Sequence, residues 1–176
     1  MIYYLILFLT AAAVVALDLI TKYLSVKYSF DFVVIPKLLK FKQAYNEGAA
    51  FGMLDDKPWA KVVFIVLTIA VCLLIIGFFV YNKIAGRSVP KWFGVALALV
   101  FAGAAGNCID RIFLGKVRDF MLLFYDTQIF PFIFNVADVS LVAGVIMLLI
   151  WFLFLDKEAL FSKKNKNENG NENNNG

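Results

Sequence analysis

Asp119 and Asp138, with Asn107, Asp110, Arg111 and Asn135 interleaved nearby, are the residues whose types and spacing could do chemistry. Polar groups in or beside hydrocarbon cost several kcal/mol each, so such a concentration at the edges of apolar stretches asks for a purpose. The chain contains no histidine, which removes Ser–His and Cys–His nucleophiles and imidazole metal sites. Cys72 and Cys108 lie in apolar runs without a Cys-x-x-Cys or zinc spacing. Cys108 reads as a small buried hydrophobe, and no cofactor or metal is expected. Acid–base work then falls to carboxyls. Two of them a few ångströms apart cannot both ionise easily, so one keeps a proton near neutral pH. The ionised one can activate water while the neutral one protonates a carbonyl oxygen, which together hydrolyse a peptide. Asp119, on the loop entering the last apolar stretch, and Asp138, on its first turn, are the best-placed pair. Asp110, next to Arg111, reads instead as an ion-paired structural group.

The elements that must position these residues are membrane spans. Of 176 residues, 62% are hydrophobic and only 17% charged. A soluble domain is about 45–50% apolar with roughly 25% charge, and a chain this short cannot hide the surplus in a core. Soluble globular and disordered readings are both excluded. Uncharged runs cover 1–17, 62–82, 92–109 and 139–155, each close to the ~20 residues that cross the hydrocarbon layer as a helix. With their flanks they predict an all-α polytopic membrane protein with spans at about 1–24, 59–82, 92–112 and 136–156. The first run reads as a retained span, not a cleaved signal: no basic residue precedes it, and Asp18 and Lys22 continue its helical pattern. Residues 30–35 and 38–41 are β-branched and aromatic and are broken by Pro36, so they predict short strands. Residues 45–54, with two glycines, read as a loop, and 115–134 as strand or loop. The Lys-, Asn- and Gly-rich tail over 162–176 reads as disordered.

Chain direction alternates at each span. One membrane side therefore collects Asp18 and Lys22, then Asn107, Asp110 and Arg111, then Asn135 and Asp138, together with both long loops. Asp18 and Lys22 are four apart on a helix and can pair. Gly94, Ala98, Ala102 and Gly106 form a stripe that lets another helix approach closely. Lys116 and Arg118 read as solvated loop charges. The net charge of +4 comes largely from lysines beside the spans, and no nucleic-acid partner is expected. Raw Lys and Arg counts are ten on the loop-rich side and seven on the other, but the seven crowd into 83–91 and 157–166, so density reverses the order. A transporter would want its charges near the bilayer midplane, whereas these gather at one edge. A non-enzymatic scaffold would tolerate loss of the aspartates.

Five blocks stand in a telling order: Asp18 with Lys22, Asn46-Glu-Gly-Ala-Ala-Phe-Gly52, Gly103-Ala-Ala-Gly-Asn-Cys-Ile-Asp-Arg111, Val117-Arg-Asp-Phe120 and Phe134-Asn-Val-Ala-Asp138. In sequence and layout they resemble the motif blocks of the bacterial lipoprotein signal peptidases (signal peptidase II). The resemblance implies a membrane aspartic endopeptidase that cuts the signal peptide from diacylglyceryl-modified prolipoproteins before the lipidated cysteine. Asp119 and Asp138 match its catalytic dyad. Asn46, Gly48, Asn107, Arg111 and Asn135 match positions that line the site or hold substrate, Asp18 and Lys22 a supporting pair, and Asp110 is grouped with these supporting residues. The resemblance also implies a small extracytoplasmic β-sheet from the first loop, both termini in the cytoplasm, and a site at the outer face of the cytoplasmic membrane. A single membrane domain over 1–161, contact with membrane lipids, inhibition by globomycin and a monomeric state are expected with it. Arg118 stands where that family usually has an aliphatic residue, and its charge is expected to lower the pKa of Asp119.

Overall fold

The computed structural model describes residues 2–46, 58–126 and 132–155. Four helices are long and apolar enough to cross a membrane: α1 (Ile2–Lys27), α2 (Pro58–Ile84), α3 (Lys91–Leu114) and α4 (Val136–Ile150). The last passes into a π-helical turn, Trp151–Leu155. The first three run past the predicted ends because their C-termini are closed by local chemistry that lies outside the apolar run. At the end of α1, Ser29 takes φ 47°, and Phe30 N donates to Ser25 O while Ser29 N donates to Val26 O. Those two bonds make a Schellman cap. Gly86 and Arg87 repeat it after α2. Gly115, at φ 72°, ends α3, and a side chain there would also strike the Lys61 amine, 2.6 Å from the Cβ position.

Helix α3 is the centre of the bundle. It packs against each of the other three helices, and 56% of its apolar stretch is buried against 6% for α2. The small-residue stripe explains this. Gly94 faces Tyr3 and Leu7 of α1, and Ala98 and Ala102 are buried. On the α4 side, a Cβ on Gly103 would collide with Ala137 O, and one on Gly106, between α1 and α4, would sit 2.6 Å from Asp18 Oδ2 and 3.1 Å from Ala137 Cβ. Backbones that approach this closely replace the hydrophobic drive that lipid cannot supply. Ser140 Oγ closes the same seam by donating to Leu99 O at 2.9 Å.

The two long loops meet in one antiparallel sheet of order β1-β2-β3-β4, made of β1 (Asp31–Ile35), β2 (Leu39–Asn46), β3 (Val117–Leu123) and β4 (Phe132–Phe134). The first loop therefore supplies half of the sheet and the second loop the rest. Pro36 and Lys37 make the β1–β2 turn, with Lys37 at φ 63° and Leu38 N donating to Ile35 O, the arrangement a type II turn requires. Strand β2 runs on to Asn46, where a loop is read from sequence alone, because Tyr45 and Asn46 find partners in Arg118 and Val117 of β3. On one face of the sheet, the Phe120 ring meets Phe41 at 5.5 Å and Phe30 at 6.1 Å, both edge to face. This aromatic cluster holds β3 against β1 and β2 from the face opposite Asp119.

Candidate active site

Residues Asp119 and Phe120 are both buried although they are neighbours on a strand. Alternation sends them to opposite faces, so β3 is covered twice: by the aromatic cluster on one side and by the ends of α1, α3 and α4 on the other. Asp138 comes from the first turn of α4. Asn135 is the N-cap of that helix, its Oδ1 accepting from Asp138 N at 2.9 Å while Asp138 Oδ2 accepts from Asn135 N at 3.2 Å. This capping box satisfies two of the amides a helix start leaves open.

Asn135 also joins the two carboxyls. Its Nδ2 donates to Asp119 Oδ1 at 2.6 Å and to Asn107 Oδ1 at 3.0 Å. Asn107 in turn donates from Nδ2 to Asp138 Oδ1 at 2.7 Å. From β2, Asn46 Nδ2 donates to Asp119 Oδ2 at 3.1 Å. Both oxygens of each aspartate thus accept at least one hydrogen bond, and among the described residues the side-chain donors are all amides. Asp119 is fully buried, whereas Asp138 is half-buried. Burial, followed by the charge of Asp138, pushes the Asp119 carboxyl up to about 6, against the opposing pull of the Asn46 and Asn135 amides and of Lys22.

Behind the pair lies a buried ionic layer. Lys22 Nζ sits 2.7 Å from Asp18 Oδ2, 2.9 Å from Asn107 Oδ1 and 3.5 Å from Asp110 Oδ2, with its side chain wholly buried. It thereby fixes which way the Asn107 amide points: oxygen to lysine, nitrogen to Asp138. Asp18 Oδ1 accepts from Ala137 N at 2.8 Å, placing a carboxylate against the N-terminus of α4, where the helix dipole favours it. Asp18 and Lys22 are therefore bolts between helices, not interfacial anchors.

Two residues that read as solvated loop charges are engaged in the structure. Arg118 is committed to Asp110, and it is not a solvated loop charge. Its backbone N and Nε donate to Asp110 Oδ2 at 2.9 and 3.2 Å, and its Nη2 to Asp110 Oδ1 at 2.5 Å. The same strand alternation that turns Asp119 toward Asn135 turns Arg118 away, and the turn at Gly115 brings it back over the end of α3. Lys116 is likewise engaged, 3.9 Å above the Tyr45 ring. Arg111 lies within electrostatic reach of Asp138 and Asp119, with its guanidinium 5.5 Å from the Phe64 ring and its buried Nε unpartnered among the described residues. Gly48 lies outside the described residues. The Ala137 amide and the Arg118–Asp110 fork were not anticipated. The latter had one signal, since a basic residue just past a helix-ending glycine can fold back on an acid in the last turn.

Comparison with known proteins agrees with this architecture. The family described as Signal peptidase (SPase) II matches residues 10–154. Lipoprotein signal peptidases of Staphylococcus aureus strains JH9 and Newman are each 40% identical over 151 residues, covering 82% of this chain and 86% of the relative. A bacterial membrane enzyme solved by the in meso method at 2.3 Å resolution superposes with a TM-score of 0.71 at 36% identity, covering 91% of this chain and 92% of the other. A second, at 1.9 Å, gives 0.68 at 37% identity over 84% and 92%. With four apolar helices, a match across most of its length and relatives at this identity, the chain belongs to the signal peptidase II family and is a multi-pass membrane peptidase.

Proposed function

We propose that the chain is an aspartic endopeptidase that removes the signal peptide from diacylglyceryl-modified prolipoproteins, cutting before the lipidated cysteine. One observation carries this reading: Asp119 and Asp138, from different elements, are tied through the same residue, Asn135, with one carboxyl buried and raised to about 6 and the other half-buried. The asymmetry assigns roles. Asp138, the more accessible, takes a proton from a water whose oxygen attacks the scissile carbonyl carbon. Asp119 gives its proton to the carbonyl oxygen. As the tetrahedral species collapses, the C–N bond breaks, the leaving nitrogen takes the proton held by Asp138, and Asp119 recovers its own.

Arg111, with an unpartnered buried Nε beside the pair, is suited to receive a carbonyl of the substrate backbone, and Asn46, Gly48, Asn107 and Asn135 complete the lining. Asp18, Lys22 and Asp110 hold the helix ends together behind them. The density of basic residues at 83–91 and 157–166 supports a cytoplasmic placement for that side, with both termini and the tail over 162–176 there. The site then faces outward at the surface of the cytoplasmic membrane. Residues 1–161 form one membrane domain, acting as a monomer and sensitive to globomycin.

The test is direct. Purified protein is incubated with a lipidated precursor, and release of the signal peptide is followed for wild type, Asp119→Asn and Asp138→Asn. Both variants are expected to lose cleavage while keeping the wild-type thermal unfolding profile. Full cleavage by either one would end the proposal.

A further inference from the structure

At the end of the bundle away from the aspartates, a cavity of about 310 Å³ opens between α1, α2 and α3. Leu7, Ala11, Ile75, Phe79, Ala98 and Phe101 line it, with other apolar or aromatic side chains. It exists because α1 and α2 both pack on α3 yet scarcely touch each other. Among the described residues their rings meet near the end, where Tyr4 and Phe79 lie 6.2 Å apart, edge to face. The groove therefore faces the hydrocarbon sideways, with α3 as its floor. Its lining is almost wholly apolar and open to the side, which suits a hydrocarbon chain.

Charge is arranged above the same groove. Lys83 follows Phe79 by four residues and Val80 by three, and Lys91 precedes Ala98 by seven, so each extends a groove-lining face of its helix. Arg87 lies between them in the turn, which Tyr3 Oη ties to α1 by donating to Pro90 O at 3.2 Å. All three basic residues are exposed, and no acidic residue occurs between 57 and 109. Among the described residues none of the three makes an ion pair. Three unpaired cations crowned on an apolar slot match an anionic headgroup on an acyl tail.

The geometry points to a bound anionic phospholipid, one acyl chain seated in the groove among α1, α2 and α3 and its phosphate held at Lys83 and Lys91. This site is separate from the peptidase centre, and its test needs no cleavage. Retained lipid is counted by native mass spectrometry on protein equilibrated in micelles with dioleoylphosphatidylglycerol or dioleoylphosphatidylcholine. Two lysines at the surface predict roughly a thirtyfold preference for the anionic lipid. The double variant Lys83→Gln, Lys91→Gln removes that preference. Ile76→Trp, at an exposed groove position on α2, weakens both lipids by at least about tenfold and leaves thermal unfolding in lipid-free detergent unchanged. Equal retention of the two lipids by wild type, or an undiminished preference in the lysine variant, overturns the assignment. So does a raised KM for lipidated precursor in Ile76→Trp with lipid retention intact, which would give the groove to the substrate's signal helix.

Discussion

Asn135 does two jobs that a pair of substitutions can separate. Its oxygen caps α4, and its amide nitrogen donates to Asp119. Serine at this position keeps a capping oxygen but is too short to reach Asp119, whereas alanine loses both functions. The cap is worth about 1 kcal/mol. A hydrogen bond to a charged acceptor contributes about 1.5–3 kcal/mol. Asn135→Ser is therefore expected to cost about 2 kcal/mol of stability and Asn135→Ala about 3. At 2–4 °C per kcal/mol, that separates their unfolding temperatures by roughly 3 °C.

Activity should ignore that difference. The amide favours the ionised form of Asp119, so its loss raises the carboxyl further. At 1.36 kcal/mol per pH unit, the missing bond moves the Asp119 titration up by about 1–2 pH units from about 6. In the proposed mechanism Asp119 works protonated, so activity is present below that pKa and lost as pH rises through it. The falling limb of kcat/KM, measured on a lipidated precursor, should move to higher pH by the same amount in both variants. An unmoved limb in both would refute the role given to the amide. A limb that moved for alanine and not for serine would assign the effect to helix capping and refute it equally.

Three further outcomes follow from the ionic layer and the seam. Arg118→Val removes two of the three bonds to buried Asp110 and leaves Lys22 at 3.5 Å, so it should lower stability by about 2–3 kcal/mol. Its pH–rate profile should keep the wild-type limb, because that side chain faces away from Asp119; a displaced limb would restore the first expectation. Lys22→Met strands the buried Asp18 carboxylate, leaves Asp110 to Arg118 alone and frees the Asn107 amide to turn; a loss of about 3–5 kcal/mol is expected in detergent thermal unfolding. Gly103→Val forces α4 away from α3 at Ala137, and a displacement near 1 Å at the capping box should cost roughly a hundredfold in kcat, with a smaller change in KM.

Much of this molecule is legible in its sequence, and the parts that are not share a physical cause. The spans are visible because hydrocarbon tolerates few charges, and the gathering of Asp18, Asn107 and Asp138 at one edge follows from alternating chain direction alone. Helix ends were misjudged by a few residues because Ser29, Gly86 and Gly115 close them through backbone geometry that hydropathy does not report. The extension of β2 to Asn46 was invisible for a different reason: its pairing partner is more than seventy residues away. For Arg118, sequence adjacency to Asp119 suggests contact, whereas adjacency on a strand sends side chains to opposite faces, and its guanidinium binds Asp110.

The ionic layer accounts for how Asp119 can be tuned by its neighbours' amides. Asp18 and Asp110 are answered by Lys22 and Arg118, two negative charges against two positive, all with buried or nearly buried side chains. An unbalanced buried lysine next to Asn107 would favour the ionised form of Asp119. Lys22 is the weakest of the named influences on Asp119, behind burial, the Asp138 charge and the two amides, and its own charge is answered by Asp18 and Asp110. The layer bolts three helix ends together, while the Asp119 carboxyl is raised chiefly by its depth and by the Asp138 charge. In the proposed mechanism that leaves one proton for the two carboxyls to use, and it gives the crowd of charges at one edge of the membrane a reason: most of them pair with one another.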